Sequence, residues 1–319
     1  MNPFRSGFAA AAVLLQTVTM GHAFPENPVR LIVGWPAGGP VDAVARLVQG
    51  ELGQRLGVSV VIENKPGVSG MLATEMVMNQ PRDGQTLLLC THYESMNPVM
   101  YRTAKYNIED IAGISLLARY YLVLALPGNS PARNLQELIA QAKQNAGKLT
   151  YGTTGPGSTQ DMLMRQLADL SGTSMQAVPY RGAAPALTEV MAGRLDMFLS
   201  PTGPAMPQAE ANQIKLIATT STSRLKVAPN VPTFVELDYP LKLFGWIGIC
   251  AAKGTPEPVV ERLNRDLQAI VETPEFRARI EATGQIAESS SPAALQSTLS
   301  GMSQEISQLV QKYSIRSEQ

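Results

Sequence analysis

The chain is poor in the residues on which most catalytic chemistry depends. It holds two histidines and two cysteines among 319 residues, too few for the usual ligand sets of zinc sites. His22 falls in an amino-terminal stretch that reads as a leader. Arg5 gives a positive start, Phe8 to Val18 is a short apolar run, and Gly21-His22-Ala23 puts small residues at the positions a signal peptidase reads. Cleavage is expected after Ala23, which leaves His92 as the one histidine of the mature chain. Ser-His-Asp triads and His-based acid–base schemes then have a single position open to them. An excess of either charge is also lacking, because 26 basic residues balance 26 acidic ones. Neither nucleic acid nor an anionic membrane surface is therefore expected as a partner. Beyond the leader no apolar run approaches membrane-spanning length, and no cysteine follows the cleavage site to carry a lipid. The mature chain is expected to be exported, soluble and monomeric, with no metal and no cofactor.

The two cysteines lie in strand-like runs, Leu87-Leu-Leu-Cys90 and Trp246-Ile-Gly-Ile-Cys250. They are expected to be small buried apolar residues. Pairing in an oxidising compartment is the alternative. Cys90 and His92 stand two apart at a strand end, which also admits a Cys–His nucleophile and an exported hydrolase. No orienting group or oxyanion site accompanies that pair.

Glycine and proline, by contrast, are plentiful, at 26 and 23 residues. They cluster where apolar runs end. Val29 to Val33 is a β-branched run, Gly34 to Pro40 a turn, and Val41, Ala45, Val48, Leu52 and Leu56 recur at helical spacing. The first N–H groups of a helix have no internal partner and carry partial positive charge, so a strand–glycine loop–helix unit has the form of a backbone anion site. A second such unit follows. Leu149 to Gly152 is a strand, Thr153-Thr-Gly-Pro-Gly-Ser-Thr-Gln160 a hydroxyl-rich loop, and Met162, Gln166, Leu167 and Leu170 mark a helix. Between and after these, strand and helix signals alternate, which predicts an α/β fold with parallel sheets and helices on both faces. Ser69 is the expected N-cap of a helix running to Met78. Thr91 to Pro98 and Ser200 to Pro204 are expected loops at strand ends, the first either a ligand loop or a solvated one. The last part of the chain is helical.

If the two units face each other across a cleft, neutral N–H and hydroxyl donors would hold both ends of a small dianion. The candidate residues are Trp35, Ala37, Gly38, Gly39, Pro40 and Val41 in the first loop, and Thr91 and His92 after the third strand. Thr153, Thr154 and Ser158 come from the second loop, Tyr180, Arg181 and Gly182 from a later polar turn, and Thr202 from the loop after Leu199. Arg181 suits a distal carboxylate by its planar fork, or is a surface cation at a strand end. Asp42 is expected to cap or brace the first helix, and Asp196 to be structural. Trp35 and Tyr180 either wall a pocket or edge the core.

Several motifs occur in one order. Phe24-Pro25 with Pro28-Val-Arg-Leu-Ile-Val33 is followed by Pro36-Ala-Gly-Gly-Pro-Val-Asp42 and Val61-Ile-Glu-Asn-Lys-Pro-Gly67. Asn97-Pro98, Tyr101, Gly147-Lys-Leu-Thr-Tyr151, Gly155-Pro-Gly-Ser158 and Val178-Pro-Tyr-Arg-Gly182 come next, then Trp246-Ile-Gly248 and Gly254-Thr-Pro256. Together they resemble the Bug-type extracytoplasmic solute receptors, the substrate-binding proteins of tripartite tricarboxylate transporters. The resemblance implies a type II-like periplasmic binding-protein fold: two doubly wound α/β lobes joined by crossing strands near Tyr121-Leu122 and Gly245-Trp246. It places a signal peptide at residues 1–23, lobe 1 at 24–122 plus 246–319, and lobe 2 at 123–245. It also implies that Trp35 to Val41 holds a ligand carboxylate, partly through backbone N–H groups, while loops of the other lobe set specificity. The implied ligand is a small organic acid or amino acid, and the implied partner a membrane permease of the tripartite type or, alternatively, a sensor kinase. Trp35 and Ala37 stand where the family often has Phe and Pro. Gln160-Asp161 stands where a His often follows the Gly-Ser loop, and His92-Tyr-Glu94 is an unusual composition for its loop.

Overall fold

Two sheets organise the chain in the computed structural model, which describes residues 24–313 and 315. The expected leader lies outside the described residues. The first sheet begins with β1 (Val29–Val33), α1 (Pro40–Leu56), β2 (Val60–Asn64), α2 (Met71–Met78), β3 (Thr86–Thr91), α3 (Tyr93–Met100) and β4 (Ile111–Tyr120). All six residues of β3 are buried, as suits a strand covered on both faces. α1 starts with Pro40 and stops at Gly57, whose left-handed backbone (φ 75°) lets its N–H close on Gly53 O.

The chain then enters the second sheet through β5 (Leu122–Pro127), α4 (Leu135–Gln144), β6 (Thr150–Thr153), α5 (Thr159–Ser171), β7 (Gln176–Pro179), α6 (Ala183–Met191), β8 (Met197–Pro201), α7 (Thr202–Glu210) and β9 (Ile214–Thr219). It returns to the first sheet by β10 (Gly245–Ala252), and continues through α8 (Glu257–Val271), α9 (Pro274–Glu281), the two-residue β11 (Ile286–Ala287) and α10 (Pro292–Tyr313). The strand orders are β11-β4-β10-β3-β1-β2 and β7-β6-β8-β5-β9.

Both sheets are mixed, which corrects the expectation of parallel ones. β1 runs parallel to β2 and β3, and β6 parallel to β7 and β8. β10 is antiparallel to β3 and β4, and β5 is antiparallel to β8 and β9. The antiparallel strands are those that carry the chain between sheets, so they arrive without a helix crossover, and only a crossover would enforce parallel pairing. At this passage Gly245 lies under the ring of Tyr120. A Cβ there would stand 1.9 Å from Tyr120 Cζ, so no larger residue fits.

Cys90 and Cys250 are both fully buried, as expected, but they are joined in a disulfide with Cα atoms 5.8 Å apart. This corrects the expectation of unpaired residues. Gly248 faces Cys90 and Cys250 faces Leu88 across the β3–β10 ladder, so the cysteines are diagonal neighbours on one face of the sheet, within bridging distance. The bond also removes the thiol on which a Cys–His nucleophile would depend.

Two turns differ from expectation as well. Ser69 is not an N-cap: it lies in a single 3-10 turn with φ 54°, and α2 starts after Gly70 without a side-chain cap. Residues 93–98 lie in α3 instead of a loop, with Thr91 ending β3. Glu94 reaches back to accept from the N–H and hydroxyl of Thr91, which fixes the first turn. Pro98 inside α3 cannot donate to Glu94 O, and the Tyr106 hydroxyl approaches that carbonyl instead, at 3.4 Å.

Candidate functional site

The two glycine loops are built on the same brace. In the first, Gly38 N–H donates to Asp42 Oδ2 at 2.8 Å, and Arg46 Nε donates to the same oxygen at 2.7 Å. Asn64 Nδ2 donates to Asp42 Oδ1 at 2.8 Å and to Trp35 O at 3.0 Å. In the second, Gly157 N–H donates to Asp161 Oδ2 at 2.9 Å and Arg165 Nε to Asp161 Oδ1 at 3.0 Å. Glycine, aspartate and arginine recur four residues apart in both units, so each helix folds its own entry loop onto a buried carboxylate. Burial alone would raise the Asp42 carboxyl, but bonds from Arg46, Asn64 and Gly38 outweigh it and hold the group below the usual carboxylate range. The expected bracing role of Asp42 is what the geometry provides.

The brace limits what the first loop can offer a ligand. Gly38 N–H goes to Asp42 and Gly39 N–H to Pro36 O, at 3.3 Å. Pro36 and Pro40 have no N–H. Ala37 and Val41 are left with backbone donors that have no protein partner among the described residues. Trp35, half-buried, turns its ring toward Tyr93, with centroids 5.2 Å apart.

Thr91 and His92 do not sit on an open loop. Both are buried, and Thr91 is occupied by Glu94. Burial pushes the His92 imidazole down to about 4, partly opposed by a hydrogen bond with the Trp246 backbone, so it is neutral at physiological pH. Its Nδ1 finds no partner among the described residues. Its ring lies 4.3 Å from that of Tyr93 and 5.9 Å from that of Tyr120. Glu94 is pushed up to about 7 by burial, against the bonds from Thr91 and Thr74.

In the second unit Ser158 caps α5, accepting from Asp161 N–H. Thr153 Oγ1 accepts from Gly155 N–H at 3.1 Å, and Thr154 Oγ1 donates to Gln160 Oε1 at 3.2 Å. Tyr180 is half-buried against the second sheet's core. Arg181 is exposed and has no ion pair among the described residues. Gly182 precedes α6 with φ 114°. Thr202 starts a helix rather than lying in a loop, and its hydroxyl donates to Tyr121 O at 2.9 Å, bracing the passage between sheets. Asp196 accepts from the N–H and hydroxyl of Thr150, the structural role expected of it.

A cavity of about 70 Å³ lies between α3 and the second glycine loop. Ser69, Tyr93, Asn97 and Tyr101 face it from one side, Thr154, Gly157 and Ser158 from the other, with Met96, Met100 and Pro156 completing the wall. Of the residues expected from the sequence, Thr154 and Ser158 meet here, and Trp35 touches the lining through Tyr93. Tyr93 and Asn97 belong to the Thr91–Pro98 stretch read as either a ligand loop or a solvated one, whereas sequence reasoning missed Ser69, Met96, Met100 and Tyr101, although Tyr101 belongs to the motifs that carried the resemblance. No lining residue is a cation or an anion at neutral pH. Burial and the neighbouring Tyr101 push the Tyr93 hydroxyl up to about 12, so it stays a neutral donor.

The Ser69 turn at the cavity's edge is strained. Val68 and Ser69 both have left-handed backbones, φ 43° and 54°, a conformation disfavoured for any non-glycine and most of all for a β-branched residue. Asn97 Nδ2 holds it by donating to Ser69 O at 3.1 Å, and Thr74 Oγ1 by donating to Gly70 O at 3.2 Å. Asn97 Oδ1 has no partner among the described residues.

A lobed α/β frame with two braced glycine loops and a neutral cavity between α3 and the second of them invites comparison with known binding proteins. The family described as "Tripartite tricarboxylate transporter family receptor" matches residues 44–316. The chain belongs to that family. A Cupriavidus necator protein described as a UPF0065 protein in the gbd 5' region is 33% identical over 284 residues, covering 86% of this chain and 85% of its own length. The structure of the periplasmic binding protein BugD is 30% identical with a TM-score of 0.75, covering 92% of this chain and 99% of that one. MatC from Rhodopseudomonas palustris, with bound malate, is 26% identical with a TM-score of 0.74, covering 90% and 100%. The chain is thus a Bug-type receptor, and its family and fold are those of solute-binding proteins. Among the described residues no helix is long and apolar enough to cross a membrane.

Proposed function

We propose that this receptor holds a small carboxylate between its two sheets in the periplasm and delivers it to a tripartite-type permease, acting as a monomer and not as an enzyme. The observation that carries the reading is a cavity lined by neutral hydroxyl, amide and phenol groups between α3 and the braced entry loop of α5, with the similarly braced first loop reaching that lining through the Trp35–Tyr93 ring contact. Such donors bind a carboxylate without an ion pair, each helix terminus contributing about 0.3–2 kcal/mol and several being needed for micromolar affinity, about 8 kcal/mol. Malate bound to a relative of the same fold supports the ligand class. Export follows from the leader expected at residues 1–23, with lobes at 24–122 plus 246–319 and at 123–245. The lobes would hinge where the chain changes sheets, at Tyr121 and before Gly245. In this arrangement Trp35, Ala37, Val41, Thr154 and Ser158 contact ligand directly, with Tyr180, Arg181 and Gly182 at the cleft margin.

Thermal-shift screening of mono-, di- and tricarboxylates and amino acids tests the reading. A binder raises the melting temperature in proportion to ln(1 + [L]/Kd). Absence of a shift across all four groups would refute it.

A further inference from the structure

The wall of the cavity is divided by chemistry. Hydroxyls of Thr154 and Ser158 stand at the entry to α5, whose terminal N–H groups favour negative charge. The opposite wall carries the large side chains Tyr93, Met96, Met100 and Tyr101, extended by the Trp35 ring against Tyr93, with Ser69 and Asn97 among them. No lysine, arginine or histidine lines the space. We propose that the ligand is an aromatic monocarboxylate, its ring against Tyr93, Met96, Met100 and Tyr101 and its carboxylate at the hydroxyl end by Thr154 and Ser158. The proposal rests on the carboxylate-receptor reading and narrows it.

Met100 explains why the occupant has an apolar body. A Cβ on Gly157 would lie 2.1 Å from Met100 Cε, so the methionine spans the gap from α3 to the second glycine loop. The remaining space, about 70 Å³, is well below the roughly 300 Å³ at which ligand pockets begin. A ligand enters by displacing Met100, whose unbranched thioether chain moves easily. The space opened among these tyrosine, methionine and proline side chains suits a flat ring, which packs on tyrosine in offset or edge geometry, while Asn97 Oδ1, unpartnered among the described residues, is an acceptor that disfavours a carboxylate at this wall. A second carboxylate placed against this wall would lose its water with no cation to replace it.

The test is calorimetric titration of the mature chain with benzoate and phenylacetate, and with succinate, malate and citrate. The aromatic acids are expected to bind at least about ten-fold more tightly than the others, the equivalent of one decade in Kd. A di- or tricarboxylate that binds as tightly or more tightly would overturn the ring assignment and leave the carboxylate-receptor reading intact. Binding of no acid at all would overturn both. Met100→Gln keeps the side-chain length and adds polarity. It is expected to weaken the aromatic acids about ten-fold, with the buried amide also lowering the melting temperature of the ligand-free protein, so affinity is compared in a variant that circular dichroism shows to be folded. An unchanged affinity in that folded variant would also overturn the assignment.

Discussion

Removing the Cys90–Cys250 disulfide should cost this protein a large share of its stability. The bond joins residues 160 apart in sequence, and loop-closure entropy over that length amounts to about 5 kcal/mol. Its position adds to the effect. It ties β10, by which the chain re-enters the first sheet, to β3, which runs directly into α3 and the cavity. For a chain of this size each kcal/mol moves the melting temperature by roughly 2–4 °C, so Cys90→Ala with Cys250→Ala should melt roughly 10–20 °C lower by the same relation. Alanine is chosen because both cysteines are fully buried, where a serine hydroxyl would lack partners and add its own penalty. The assay is thermal unfolding of parent and double variant by circular dichroism, with thiol titration of the unreduced, denatured parent. Two free thiols in that titration, or melting temperatures that coincide, would refute the reasoning.

Other side chains give independent expectations. Asp42→Ala should destabilise by about 1–3 kcal/mol, because it leaves the part-buried donors of Asn64 and Gly38 without their acceptor. Denaturant unfolding measures it, and Asp161→Ala should behave alike. The Asp42 carboxyl is held below its unfolded value, so its stabilisation is present above the ordinary aspartate range and is lost as pH falls through the folded value; the gap between parent and Asp42→Asn should close on acidification. Glu94 is raised from 4.5 to about 7, so between those values the folded state keeps a proton that the unfolded chain has lost, and stability falls as pH rises through that window and levels above it. Glu94→Gln should remove that fall, seen as a flatter melting temperature across the same window. Asn97→Ala should release the strained Val68–Ser69 turn, with a loss of about 1–3 kcal/mol and a parallel loss of ligand affinity by calorimetry.

What could be read from the sequence divides along physical lines. Val29 to Val33 followed by glycine, proline and a helical repeat is a local pattern, and the structure returns β1 and α1 where it indicates. The cap of α4 is equally local, the Asn134 side chain accepting from Glu137 N–H three residues on. Strand pairing is non-local, so neither the antiparallel arrival of β10 nor the disulfide that depends on it could be read along the chain. The helix α3 was hidden because Pro98 argues against a helix, and what reconciles it, the Tyr106 hydroxyl at Glu94 O, comes from another segment. The paired glycine–aspartate–arginine braces were present in the sequence at equal spacing, but nothing about a lone aspartate shows that a loop N–H four residues back will fold onto it. This asymmetry bears on function. The loops that local pattern reveals are generic, two copies of one device that leaves few donors free. The surface that distinguishes this receptor, Tyr93 through Tyr101, is carried by the element that local pattern conceals. Discrimination among ligands should therefore respond to changes on α3 more strongly than to changes in either glycine loop.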